Sequence, residues 1–211
     1  MTKTLWIDGW ACNSNFKKDE LSLILKTEIT ILTFEDWIIK SNNNTLVQAT
    51  SFDNIIFWST ACFSPIDFSK TSSNCIFLFP AFNYCGKEGW STTAISRMQR
   101  NISKGNLEQT LEQFCELLST NLTSSDKESW KTTALKNPLL LIQGLELLKE
   151  KSNIKPPLSS HIIIGDQDHL CKPQPIKSFI QELNLKKTGI NSEHWPFHSI
   201  AYQALSKVLK K

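Results

Sequence analysis

Short apolar, β-branched runs punctuate the chain at residues 5–7, 29–32, 55–57, 75–79 and 161–164, with a weaker one at 187–190. They are apolar throughout rather than alternating, the pattern of strands covered on both faces of a sheet. Helical or loop stretches separate them, so the order predicts an α/β fold with a mainly parallel sheet. The spacing breaks after Phe79, and about eighty residues before His161 read as helical rather than extended. Asn106 with Gln109 three residues later makes a capping-box pattern, and Leu107, Leu111, Phe114 and Leu118 then share one helix face. Residues 139–148 predict a further helix, and 92–103 and 126–136 weaker ones. Residues 173–183 and 199–209 are also read as helical. Lys155-Pro156-Pro157 returns the chain to strand, because successive prolines cannot continue a helix. A helical insertion over residues 82–157 is therefore expected. It would cover the carboxyl ends of the strands, where open α/β sheets bind ligands.

A chain of 211 residues without a long Gly/Pro/Ser linker is expected to form a single domain, residues 1–211. Its longest apolar runs, such as 138–142, are far too short to span a bilayer. Met1-Thr2-Lys3-Thr4 leads directly into the first apolar run with no signal-peptide core, so the expected location is cytoplasmic, away from any membrane. The six cysteines are scattered, with no C-x-x-C and no histidine at ligand spacing. Free thiols are expected, with no metal site. A formal net charge of +3, with charges interspersed, excludes a nucleic-acid stripe as an organising feature.

The candidate chemistry sits at strand ends. The run Ile55-Ile56-Phe57-Trp58 ends on Ser59, followed by Thr60-Ala61. A serine on a tight turn after a strand points its Oγ out of the sheet, and the N–H of the next residue, Thr60, faces an oxyanion formed on attack. Asp168 follows the run 161–165, and His194 lies in Glu193-His194-Trp195-Pro196-Phe197. Serine, acid, histidine is the chain order of α/β-hydrolases. His194 would serve as general base, Asp168 would fix its tautomer, and Trp10, in the turn Asp8-Gly9-Trp10, would supply the second oxyanion-hole N–H. Phe57 and Ala61 stand where the G-x-S-x-G pattern has glycine. Simpler readings stay open: Ser59 as an ordinary turn, Asp166 in place of Asp168, His198 in place of His194, either acid as a helix cap, and Trp10, Trp58, Trp90, Phe82 and Phe114 as core rather than channel.

These motifs resemble a family. Asp8-Gly9-Trp10 with Asn13 is similar to the H-G-W-x-x-N opening of the pimeloyl-acyl-carrier-protein methyl ester esterases of biotin synthesis, and Trp58-Ser59 to their G-W-S elbow. Pro80-Ala81-Phe82 with Trp90 resembles S-P-x-F…W, Gln143–Leu148 resembles G-G-L-x-I-L, and Gly165-x-x-Asp168 and His194-x-Pro196-Phe197-x-Ser199 match G-x-x-D and H-x-P-F-x-S. The resemblance implies an α/β-hydrolase core with a helical lid, no cofactor, and a serine carboxylesterase that releases methanol from the ester carried on acyl carrier protein. It implies Ser59, Asp168 and His194 as the catalytic set, Trp10 and Thr60 as substrate and oxyanion contacts, and Phe114, Cys115, Glu116, Leu117 and Leu118 as part of the acyl channel. Asp8 replaces the family's histidine, and Glu193 stands before the catalytic one. Gln109 and Gln113 stand where the family carries carrier-docking arginines, a role open to Arg97, Arg100 and Lys104. The alternatives are a hydrolase for another small ester or thioester, or a non-catalytic binding protein of the same fold.

Overall fold

The computed structural model describes residues 1–70, 72–82, 84, 85, 89–150 and 155–209. All six expected strands form: β1 (Lys3–Ile7), β2 (Glu28–Leu32), β3 (Asn54–Trp58), β4 (Asn74–Leu78), β5 (His161–Gly165) and β6 (Lys186–Ile190). They make one parallel sheet in the order β2-β1-β3-β4-β5-β6. β3 is buried at every residue, and β1, β4 and β5 at all but the first. This two-sided burial is why the four central strands lack polar alternation. β6, at an edge, keeps polar residues on its open side, which is why its pattern is the weakest.

Among the described residues eight α-helices accompany the sheet: α1 (Lys18–Leu25), α2 (Phe34–Asn42), α3 (Thr92–Ser103), α4 (Leu107–Leu118), α5 (Ser124–Thr133), α6 (Pro138–Leu147), α7 (Pro173–Leu183) and α8 (Ser199–Leu209). The expected bounds of α3, α7 and α8 match. The capping box at Asn106 does not form: its side chain makes no cap bond, and its carbonyl accepts from Thr110 N and Oγ1 at 3.1 and 2.8 Å. α5 begins two residues earlier than its pattern predicts, because Thr123 Oγ1 accepts from Asp126 N at 3.0 Å and so caps it. Asn137 caps α6 in the same way, with Pro138 at its first turn.

Helices α3–α6 occupy the expected insertion, of which residues 83, 86–88 and 151–154 lie outside the described residues. α3 packs on α4 and α6, α4 on α5, and α6 on α2. Among the described residues, no helix is long and apolar enough to cross a membrane. From β1 the chain steps outward to β2, then returns to place β3 on the other side of β1 and continues away from it. β1 and β3 therefore flank the point where the winding reverses, the place where a ligand crevice opens beyond the carboxyl ends of the strands.

Phe57, which occupies an elbow-glycine position, is 1% exposed and points into the core. Its ring stacks on Phe77 at 4.5 Å and 8° and tilts against Phe68 at 5.7 Å. The strand-to-helix turn leads only into a five-residue 3-10 helix, Ser59–Phe63. Pro65 stops it by holding Ser64 extended, at φ −62° and ψ 144°. Phe57→Gly, which would restore the elbow pattern, should lower the unfolding free energy by at least about 3 kcal/mol in urea denaturation, through loss of a buried ring and added chain entropy. An unchanged midpoint would show that this ring does not support the strand.

Candidate active site

Of the loops that leave the carboxyl edge of the sheet, those after β1, β3, β5 and β6 carry the candidate residues. At the end of β3, Ser59 has φ +58°, a left-handed backbone uncommon for a residue with a side chain. Such strain persists where the surroundings over-determine it. Here the constraint is the turn after β1. A Cβ added to Gly9 would lie 2.7 Å from Ser59 Cβ and 3.3 Å from its Oγ, so only glycine lets that backbone pass. The close pass brings Trp10 to the same cleft as Ser59. The Trp10 amide makes no backbone hydrogen bond among the described residues, and the Thr60 amide, in the first turn of its 3-10 helix, has no helical carbonyl behind it. The Thr60 hydroxyl is buried and also has no partner.

Asp168 and His194 form a buried pair, Oδ2 to Nδ1 at 2.7 Å. The other oxygen of Asp168 accepts from the amides of Leu170 and Cys171 at 2.9 and 2.7 Å. The competing groups are occupied elsewhere: Asp166 is exposed and pairs with Lys177, while His198 meets Ser192 Oγ at 2.7 Å at the start of α8. Burial holds His198 below the ordinary histidine range. Gly165 permits the acid loop and the histidine loop to converge, since a Cβ there would lie 2.6 Å from the Ser192 carbonyl.

Ser59 Oγ lies 4.0 Å from Cys171 Sγ. Cys171, Asp168 and His194 bring their ligand-type atoms within 4.8 Å of one another. That spacing would admit a soft cation. Both Asp168 oxygens, however, already serve two amides and an imidazole, so the donor set fits an orienting carboxylate better than a metal ligand. Burial pushes the Cys171 thiol well above its ordinary range, leaving it a neutral neighbour of Ser59. All six cysteines are free.

A narrow cleft opens over Ser59, walled by Trp10, Trp90, Ile95, Met98, Phe114, Leu145 and other apolar side chains. Of the residues expected in a channel on α4, Phe114 and Leu117 line it, Cys115 and Leu118 are buried away from it, and Glu116 is exposed. Trp58 and Phe82 are core. Tyr84 and Cys171 line the cleft without having been singled out in the sequence, since neither stands in a recognisable motif.

The tryptophans prove to be ties as well as bulk. Trp10 Nε1 donates to Leu141 O at 2.8 Å, Trp58 Nε1 to His194 O at 3.3 Å, and Trp90 Nε1 to Leu170 O at 3.0 Å. Each pins one carboxyl-edge loop to another element.

Asp8 has the place of a turn residue in the sequence and serves in the structure as an anchor. It is wholly buried and accepts from Trp6 Nε1 at 3.0 Å, from Ser14 N at 2.7 Å and from Ser14 Oγ, while its carbonyl accepts from Trp37 Nε1 at 2.8 Å. Burial pushes its carboxyl up to about 7 against these hydrogen bonds. A raised acid keeps its proton in the folded chain after the unfolded chain has lost it. Its stabilising contribution is therefore whole below the unfolded value of 3.8 and lost as pH rises through about 7. The stability advantage of wild type over Asp8→Asn should shrink by roughly 4 kcal/mol across that window, read by urea denaturation at a series of pH values. A difference independent of pH would refute the assignment.

No protein-family model and no curated protein matches the sequence. Solved structures do. The chain is similar to an esterase (EaEST) from Exiguobacterium antarcticum, at TM-score 0.73 and 10% identity, covering 100% of this chain and 92% of that one. It is also similar to a hydrolase, olei00960, from Oleispira antarctica (TM-score 0.70, 12% identity, 100% and 92% covered) and a bromoperoxidase from Bacillus anthracis (0.68, 13%, 100% and 92%). At such identities the likeness speaks for the fold, and together with the six-stranded parallel sheet it establishes that this chain has the α/β-hydrolase fold.

Proposed function

We propose that the protein is a serine carboxylesterase with Ser59 as nucleophile, His194 as general base and Asp168 as the group that orients it. The observation that carries this reading is the left-handed backbone of Ser59 at the end of β3, beside the convergent, buried Asp168–His194 pair. Ser59 Oγ attacks the ester carbonyl as His194 takes its proton, and the amides of Trp10 and Thr60 receive the oxyanion. His194 then protonates the departing alcohol, and water repeats the cycle to free the acid. The esterase and hydrolase among the structures of similar fold are in keeping with this chemistry.

The substrate we favour is the methyl ester of a pimeloyl chain on acyl carrier protein, in biotin synthesis. Small uncharged esters would react as well. The apolar cleft suits an acyl chain, and the motifs at residues 8–13, 58–59, 80–90, 143–148 and 194–199 resemble those of that esterase family. In this reading α3–α6 act as a lid, α4 contributes the channel wall, and the enzyme works in the cytoplasm. Arg97, Arg100 and Lys104 are exposed at α3, and Ile95 and Met98 of the same helix reach the cleft. A basic outer face so close to the site suits an acidic carrier.

Ser59→Ala should lower kcat on p-nitrophenyl esters by at least about a thousandfold without unfolding the protein, because a triad acts as a unit. Asp168→Asn should be severe and Asp166→Asn mild; the reverse ranking would move the acid. The docking face has its own test. Salt should depress kcat/KM for the carrier-linked ester but not for an uncharged small ester, since exposed charges are screened over about 8 Å at physiological ionic strength. Charge reversal at Arg97 and Arg100 should weaken only the carrier-linked reaction, and equal effects on both substrates would exclude this surface.

A further inference from the structure

The carboxylate of Glu193 lies outside the cleft yet is among the most heavily engaged in the molecule. It accepts from Thr120 N at 3.0 Å, from Thr120 Oγ1 at 2.7 Å and from Ser119 Oγ. Ser119 is the C-cap of α4, and its Oγ also accepts from Asn121 N at 3.1 Å. Burial pushes Glu193 up, but the bonds from Ser119 and Thr120 outweigh it and hold the carboxyl below its usual range. At neutral pH these are charge-assisted bonds, stronger than neutral ones.

What this carboxylate joins is informative. On one side is α4, whose Phe114 and Leu117 wall the cleft and whose Phe114 meets the Trp10 ring edge-on at 4.6 Å. On the other is the next residue in the chain, His194. The histidine loop is tied to the sheet side by Asp168 Oδ2 and by Trp58 Nε1. Towards α4 and α5, the seam beside Glu193 holds a partly open cavity, lined by Ser119, Asn121 and Thr123 on one wall and Ser192, Trp195 and His198 on the other. Close apolar packing does not fill that part of the seam. Asp126, which also borders this cavity, pairs with Lys17 at 3.1 Å and so joins α5 to the segment before α1.

We propose that Glu193 is a positioning residue that couples occupancy of the acyl cleft to the placement of His194. An acyl chain seated against Phe114 and Leu117 props α4. Through Ser119 and Thr120, α4 then holds Glu193, and with it the backbone that carries the imidazole. A short acyl group that leaves the cleft empty does not use this linkage. The coupling rests on the esterase reading, whereas the latch itself does not.

The test compares p-nitrophenyl acetate with p-nitrophenyl hexanoate. Wild type should show a higher kcat on the hexanoate. Glu193→Gln keeps the size but loses the charge, and should lower kcat on hexanoate by about tenfold, towards the acetate value, with KM changing far less. Thr120→Val, from the other side of the latch, should do the same in part, and the two losses should not add. Equal loss on both esters, a change in KM alone, or no change overturns the coupling. A second measurement stands apart from catalysis: backbone hydrogen exchange over residues 191–196 should quicken in Glu193→Gln, by about tenfold. If wild type hydrolyses neither ester and exchange quickens, the esterase reading fails while the latch stands. If exchange is unchanged, the latch is refuted whatever the activity.

Discussion

The carboxyl edge of this sheet depends on how closely the turn after β1 passes the turn after β3. The two strands are hydrogen-bonded neighbours, so their loops emerge about 4.8 Å apart before any side chain is considered. Gly9 has no Cβ to collide with Ser59, and the serine in turn is held in a left-handed backbone. Were either turn to relax, Trp10 and Ser59 would no longer border one crevice. Much of the surrounding structure braces this contact. Asp8 anchors the first turn to Ser14 and Trp6, Trp37 grips the Asp8 carbonyl, and Ala81 N donates to the Ser59 carbonyl at 3.2 Å.

The bracing is mostly polar and directional, set in a core rich in aromatic rings. Indole N–H groups suit the role because each brings a large apolar surface and one donor, so a single side chain both fills space and fixes a carbonyl. Trp10, Trp58 and Trp90 act in this way on three different loops. At the positions where the elbow pattern has glycine, Phe57 turns into the core and stacks on Phe77, and Ala61 lies in the five-residue 3-10 helix that begins at Ser59.

The acid and histidine loops obey a second constraint of the same kind. Gly165 lets the Ser192 and Glu193 carbonyls come close, and Asp168 uses both oxygens, one for its own loop and one for His194. The helices between β4 and β5 are joined to these loops through Trp90 on one side and Glu193 on the other. Wall and site are therefore mechanically connected, through few contacts.

The order of apolar runs was enough, by itself, to determine that six strands form a mainly parallel sheet. Strands buried on both faces must be apolar at every position, and parallel neighbours need helices between them, so the six strands and the bounds of α3, α7 and α8 were legible in the sequence, while the strand order and helices α1 and α2 were not. Candidate groups at strand ends were legible for the same reason, because in a parallel sheet the carboxyl ends all face one way. Asn106 shows the limit of local reading: its capping pattern is present, yet its N–H is given to Asn101 O and its side chain makes no cap bond, so the box does not form. The sequence favours Asp168 and His194 by motif and leaves Asp166 and His198 open as competitors; burial and partners are what separate each pair. Cys171 and Tyr84 stand in no motif, and Asp8 and Glu193 stand in motifs only as departures from them. Their partners lie on other elements, most of them distant in sequence, and only the packing of those elements shows that a turn residue is a buried anchor or that a surface-type carboxylate joins a helix end to the loop of His194.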